Sequence, residues 1–199
     1  MYGTAFGAAA VAAGFSILQA SAFSLLLFSG ASQFAVVGVI GAGGSALSAI
    51  TTGALLGIRN GLYGMRLAPV LRFKGWRRAL GSHITIDEST GVALAQRNEE
   101  STRLGFLVTG VGVFISWNLF TLLGAVGAQA LGNPSSWGLD AAVPAAFLGL
   151  VWPRLTSFQT KLAAGLAIVL ALLLSPLLSA GLPIIATVAV AVLLGWRST

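Results

Sequence analysis

The chain has 199 residues, of which 56% are hydrophobic and 8% charged, with a mean hydropathy of +0.91; no water-soluble domain can be surfaced from that composition. The net charge of +6 would suggest nucleic acid in a soluble protein, but in a chain this apolar it records membrane topology, because basic residues gather in cytoplasmic loops. With no cysteine, disulfides, thiolate catalysis and Cys-based metal sites are excluded.

The first Lys, Arg, Asp, Glu or His is Arg59. The opening "MYGTAFGAAAVAAGF" lacks the basic n-region of a secretory signal and reads as a helix already under way at residue 1. Apolar windows then run over 4–14, 17–43, 45–71, 84–95, 104–131, 139–152, 162–179 and 182–196. No alternating ten-residue segments of a β-barrel occur. The expected fold is therefore all-α, one transmembrane domain over 1–199: a polytopic integral membrane helical bundle with broken or re-entrant half-helices.

Window lengths carry the second part of that expectation. As one helix, residues 17–43 would be about 40 Å long against a ~30 Å hydrocarbon core, so the segment must tilt strongly or break. Windows 84–95 and 139–152 are too short to span and predict re-entrant or half-helices. Arg72, Lys74, Arg77 and Arg78 in "RFKGWRR", with Arg97, Arg103, Arg154, Lys161 and Arg197, place loop 72–82 and the C-terminus on the cytoplasmic side of a cell inner membrane. With Arg78 and Arg97 on one side, the segment between them enters and returns. Whether 17–43 makes one crossing or a re-entrant pair stays open.

Trp76, Trp137, Trp152 and Trp196 lie near window ends, as interfacial belt residues do, whereas Trp117 sits mid-window beside Ser116 and Asn118. Interhelical hydrogen bonds are the expected role of Ser116 and Asn118. Gly53, Gly57 and Gly61 recur every four residues and predict close helix packing.

Four stretches carry candidate chemistry. "FSGASQF" sets Ser29, Gly30, Ser32 and Gln33 in an apolar run, a poor helix interior and a good place to unwind. Such a break either faces a substrate, with amides at a half-helix N-terminus, or is a kink packed on a neighbour. "GIRNGLYGMRLAP" puts Arg59 about 21 Å into its helix, where a guanidinium needs a partner, with Arg66 two turns on; the rival reading is that the membrane ends earlier and both arginines snorkel to the cytoplasmic interface, which suits Arg66 the better. "HITIDESTG" holds the sole His, His83, with Asp87 and Glu88, the groups able to exchange protons at membrane depth. Its rival reading is a capping box from Thr85 to Glu88 with Asp87 in the first turn. In "GLDAAVPAAF" Asp140 reads first as an N-cap, with a substrate-amine contact as the weaker alternative. No hydrolase constellation, phosphate loop or histidine metal motif is present, so no catalytic residue, metal or cofactor is expected.

In order along the chain, "LLLFSGASQF", "RNGLYGMRLAP", "DESTGVALA", "SWNLFTLLGA" and "GLDAAVPAAFLGL" resemble the AzlC family of branched-chain amino acid exporters. The resemblance implies export of valine, leucine, isoleucine or similar hydrophobic amino acids, with a small AzlD-type membrane subunit as partner. Members usually have a longer N-terminal lead, so a shortened first helix is expected. Arg59 keeps the family's basic position, while Gly61 stands where many relatives carry His, which weakens a proton relay at that turn.

The leading expectation is a secondary transporter rather than an enzyme. Substrate contacts are expected from Ser29, Gly30, Ser32, Gln33, Asn60, Asp87, Glu88 and Asp140, and charge balance or proton coupling from Arg59, His83, Asp87 and Glu88. The alternative is a passive channel or a non-transporting structural or assembly subunit.

Overall fold

The computed structural model describes residues 2–132, 142–178 and 181–196, which form α-helices and one 3-10 turn, with no strand among the described residues. The elements are α1 (Tyr2–Ala12), α2 (Ile17–Leu26), α3 (Gly30–Gly41), α4 (Ala46–Leu71), α5 (Trp76–His83), α6 (Asp87–Leu94), α7 (Glu99–Ala130), α8 (Ala142–Val151), a 3-10 turn (Trp152–Arg154), α9 (Phe158–Leu174), α10 (Leu182–Ala186) and α11 (Val188–Trp196).

Helix α7 is the axis. Its 32 residues make a rod of about 48 Å. Asn98 caps it, accepting the Ser101 N–H at 2.8 Å, and Glu99 and Glu100 sit where the helix dipole favours negative charge. Among the described residues it is the helix both long and apolar enough to cross a bilayer unaided. Leu104, Val108, Ile115, Leu119 and Leu123 on it are exposed, as are Ile168, Leu172 and Leu173 on α9. Apolar surface on that scale belongs against lipid.

Helix α1 lies along α7 with a closeness only small residues permit. A Cβ on Gly3 would stand 2.7 Å from the Trp117 carbonyl oxygen, and one on Gly7 would overlap the Thr121 backbone and lie 2.7 Å from the Ala125 nitrogen. Reciprocally, a Cβ on Gly124 would press into the Thr4 backbone. The Gly-x-x-x-Gly spacing of "GTAFG" makes this contact. Gly124→Ala is expected to destabilise the fold by about 1–3 kcal/mol through overpacking. Gly127→Ala, one turn further along the same helix and open to space, should stabilise it by about 0.5–1 kcal/mol. Thermal unfolding of the two variants in detergent, compared side by side, checks both signs.

The over-long segment 17–43 does break, at residues 27–29, and the break reverses the chain. Ser24 of α2 meets Thr121 of α7 (3.4 Å between hydroxyl oxygens), Phe28 meets Phe114 (ring centroids 5.0 Å apart), and Gly41 at the far end of α3 returns to Ala13. Helices α2 and α3 are thus a re-entrant hairpin with its tip near the middle of α7.

Helices α5 and α6 form a second hairpin from the opposite end. Arg72, just before α5, pairs with Glu99 at 3.1 Å, Ile84 lies against Gly110, and Val92 of α6 is back at Gly105. The tip of this hairpin is residues 84–86. The two tips meet: the His83 ring lies 6.2 Å from Phe28 and 5.6 Å from Phe114, and His83 Nε2 is 2.9 Å from the Leu25 carbonyl oxygen. Charge placement alone predicts the return of the 78–97 segment; it does not predict that residues 76–83, read as loop, are helical. That helix forms by burying Gly81 against the Phe73 ring while its basic side chains stay outside.

Helix α4 runs antiparallel to α7, from Ser48 near Val39 down to Arg72, whose left-handed backbone (φ 50°) ends it. Of the predicted glycine stripe, Gly53 meets Val36 and Gly57 meets Ser32, but Gly61 has open space beside it. The window 182–196 divides at Thr187 into α10 and α11. Trp76 and Trp152 are exposed, as belt residues would be; Trp137 and the Trp196 side chain lie outside the described residues.

Candidate functional site

Where the two tips meet beside α4 and α8, the fold forms a partly open cavity of about 210 Å3. That is below the ~300–1,000 Å3 of drug-sized sites and suits a metabolite-sized ligand. Its wall is mostly apolar, with Phe28, Phe34, Val113, Trp117 and Phe147 prominent. Its polar groups come from Ser29 and Gly30 at the start of α3, Arg59 and Asn60 of α4, Asp87 and Glu88 at the start of α6, and Arg154 of the 3-10 turn.

Two helix N-termini therefore point at one space. Ser29 makes no side-chain capping bond to α3 and its hydroxyl donates to Ser32 Oγ instead, at 3.2 Å, so the first amides of α3 stay uncapped by side chains. At α6 the capping box expected from Thr85 and Glu88 is corrected. Thr85 Oγ1 donates to the Gly81 carbonyl at 2.8 Å, and Ser89 Oγ accepts the Ile86 N–H at 3.0 Å. The tip stays extended through Ile86 (φ −130°, ψ 178°), so α6 starts one residue later than that box requires. Asp87 does lie in the first turn.

Asp87 is the electrostatic centre. Its Oδ2 accepts from Arg59 Nη1 at 2.9 Å and from Arg154 Nη2 at 3.4 Å. The side chains of Arg59 and Asp87 are 30% and 29% exposed, so the pair is only partly desolvated. Two guanidiniums face two carboxylates here, and Glu88 pairs with neither among the described residues. Arg59 Nε, Asn60 Oδ1 and Asp87 Oδ1 are buried with no hydrogen-bond partner among the described residues. Atoms so enclosed do not themselves face the cavity; the charged groups that line it are those of Arg59, Asp87, Glu88 and Arg154.

Gln33 does not line this cavity. Fully buried, it donates from Nε2 to the Leu27 carbonyl at 2.7 Å and more weakly to Ser24 at 3.4 Å, while Oε1 accepts from Trp117 Nε1 at 2.9 Å. It adds a donor to carbonyls at the end of α2, of which that of Leu27 also accepts the Ser29 N–H at 3.0 Å. His83 does the same for Leu25 and also stands outside the cavity lining. Ser32 is buried behind Ser29. Asp140 lies outside the described residues.

Sequence reasoning missed Trp117 and Arg154 as site residues. Trp117 is both wall and support: it bonds Gln33, lies 6.5 Å from the Phe6 ring, and fits only because Gly30 has no Cβ, which would stand 2.9 Å from its ring. Its one signal was a mid-window position unlike that of the other tryptophans. Arg154 carries only a topological role in the sequence reading; a charge directly after a too-short apolar helix was the available clue. Ser116 and Asn118, expected to bond across helices, bond back to Gly112 and Phe114 of their own helix at 2.8 Å. Both satisfy themselves locally, as such side chains often do within a helix. Arg66 is exposed, in keeping with snorkelling.

Half-helices that meet end to end around a small apolar cavity, on a frame whose outer surface is hydrocarbon-facing, define a helical membrane protein. The chain belongs to the AzlC protein family, whose sequence profile matches residues 1–131. It is 31% identical over 165 residues to the inner membrane protein YgaZ of Escherichia coli K12, covering 79% of this chain and 66% of that protein. It is 32% identical over 198 residues to an uncharacterized membrane protein of Archaeoglobus fulgidus, covering 96% of this chain and 85% of that one. The chain thus spans just under two thirds of YgaZ's length. No solved structure matches.

Proposed function

We propose that this chain is a secondary transporter that exports branched-chain or similarly apolar amino acids, working with a small AzlD-type membrane subunit. Membership of the AzlC family supports a transport role, and the resemblance already noted implies the substrate class and the partner. The observation that carries the reading is the pairing of an apolar wall with side chains of both charges, Arg59 and Arg154 with Asp87 and Glu88, in one metabolite-sized cavity.

An α-amino acid has one group to match each. Its carboxylate would accept from the Arg59 guanidinium and the uncapped amides at the start of α3; its ammonium would donate to the Asp87 carboxylate. The branched side chain would lie among Phe28, Phe34, Val113, Trp117 and Phe147. Gln33 and His83 act at one remove, holding the tips in place.

Vesicles containing the chain and its partner subunit, loaded with labelled leucine, are expected to release it with saturation and to show counterflow. Flux without either would favour a passive channel, and absence of any amino-acid flux would defeat the reading.

A further inference from the structure

A second cavity, of about 600 Å3, lies between the lower half of α4 and α5. It runs from Asn60 past Gly61, Gly64 and Phe73 to Arg78, toward the end of the molecule that carries the basic cluster. Asn60 lines both cavities. So does the tip of the α5/α6 hairpin, one residue to each side: Thr85 borders the second cavity and Ile86 the first. Ile86 has extended backbone, in which successive side chains point to opposite faces. One side chain of α4 and one dipeptide of the tip therefore border both spaces.

We infer that the second cavity is the route by which the amino acid reaches the central cavity from the Arg78 end, with Asn60 as the side chain that separates the two and Gly61 and Gly64 as the clearance. This rests on the transport reading above. Neither glycine has any atom within 4 Å of where a Cβ would stand, so packing does not require glycine at either position, and in a helix interior glycine is otherwise unfavourable. What their small size does is leave the groove wide. Its lining is mainly apolar, with Met65, Leu67, Leu71 and Phe73, and carries Asn60 at one end and Arg78 at the other, so an amphiphilic amino acid meets both kinds of surface along it. Asn60 Oδ1 is held by no hydrogen bond among the described residues, so the side chain can turn aside without breaking one there.

The chain contains no cysteine, so a single introduced thiol is the only reactive one in it. Gly64→Cys, co-expressed with the partner subunit, is expected to react with a membrane-impermeant cationic thiosulfonate applied from the Arg78 side, and not from the other side. Leucine efflux by the unreacted variant should stay within about twofold of the unmodified protein, and derivatisation after folding should lower it at least tenfold. Gly64→Leu should lower efflux similarly, while equilibrium binding of leucine to the purified protein changes less than threefold. The route is overturned if the thiol is unreactive from both sides, or if derivatised protein transports at the original rate. Reactivity from the Arg78 side without leucine flux by the unmodified protein would overturn the amino-acid reading and leave a water-filled route standing.

Discussion

Replacing Asp87 by Asn is expected to reduce leucine efflux by roughly thirty-fold or more. Truncating one partner of a desolvated, hydrogen-bonded charge pair costs about 2–5 kcal/mol, and the lower end applies because Asp87 and Arg59 retain about 30% exposure. At 1.4 kcal/mol per tenfold, 2 kcal/mol is near thirty-fold. The substitution has two effects that must be separated. It removes the acceptor proposed for the substrate ammonium, and it leaves Arg59 and Arg154 facing each other without the carboxylate that both now contact. Asp87→Asn combined with Arg154→Gln restores the charge balance. That double variant should recover most of the lost yield and thermal stability but not the transport. Recovered transport would mean that Asp87 balances charge and does not touch substrate.

Gln33→Leu should lower stability by about 3 kcal/mol while keeping nearly the same volume. Two well-formed hydrogen bonds disappear, at 2.7 and 2.9 Å; the Trp117 indole N–H is left without its partner at about 1–3 kcal/mol, while the Leu27 carbonyl keeps the Ser29 N–H at 3.0 Å. The tip at residues 27–29 should loosen in consequence, and transport should fall with it. Trp117→Phe removes only the donor and should cost less. Because both substitutions delete the same bond, the double variant should be less destabilised than the sum of the singles by about 1 kcal/mol. Additive losses in detergent unfolding would show that the two side chains act independently.

Gln33 also shows how far the sequence could be read. The break was legible because an apolar segment of this length cannot be one helix in a bilayer, and that argument needs only counting. What the break faces was not legible, since a buried amide looks the same in sequence whether it binds a ligand or a neighbouring carbonyl. The return of the 78–97 segment followed from arginines on either side of it. The reversal of 17–43 did not, because no charge marks either end. Asp87 and Arg59 were visible as charges needing partners, yet Arg154 joins them across a sequence separation of 67 residues that no local pattern records. The glycine stripe of α4 was read for packing, but its Gly61 packs against nothing, while the closest helix contact uses the "GTAFG" of α1.

The bond between His83 and the Leu25 carbonyl has a mechanical consequence. Each hairpin tip is held against the middle of α7, one through the Gln33–Trp117 bond and the Phe28–Phe114 rings, the other through Ile84 beside Gly110. Joined to each other as well, by the 2.9 Å contact and by the Phe28 and Phe114 rings around His83, the tips make one packed unit rather than two independent ones. Floor and ceiling of the central cavity are therefore tied by direct contact, and a substitution that disturbs one tip is felt at the other.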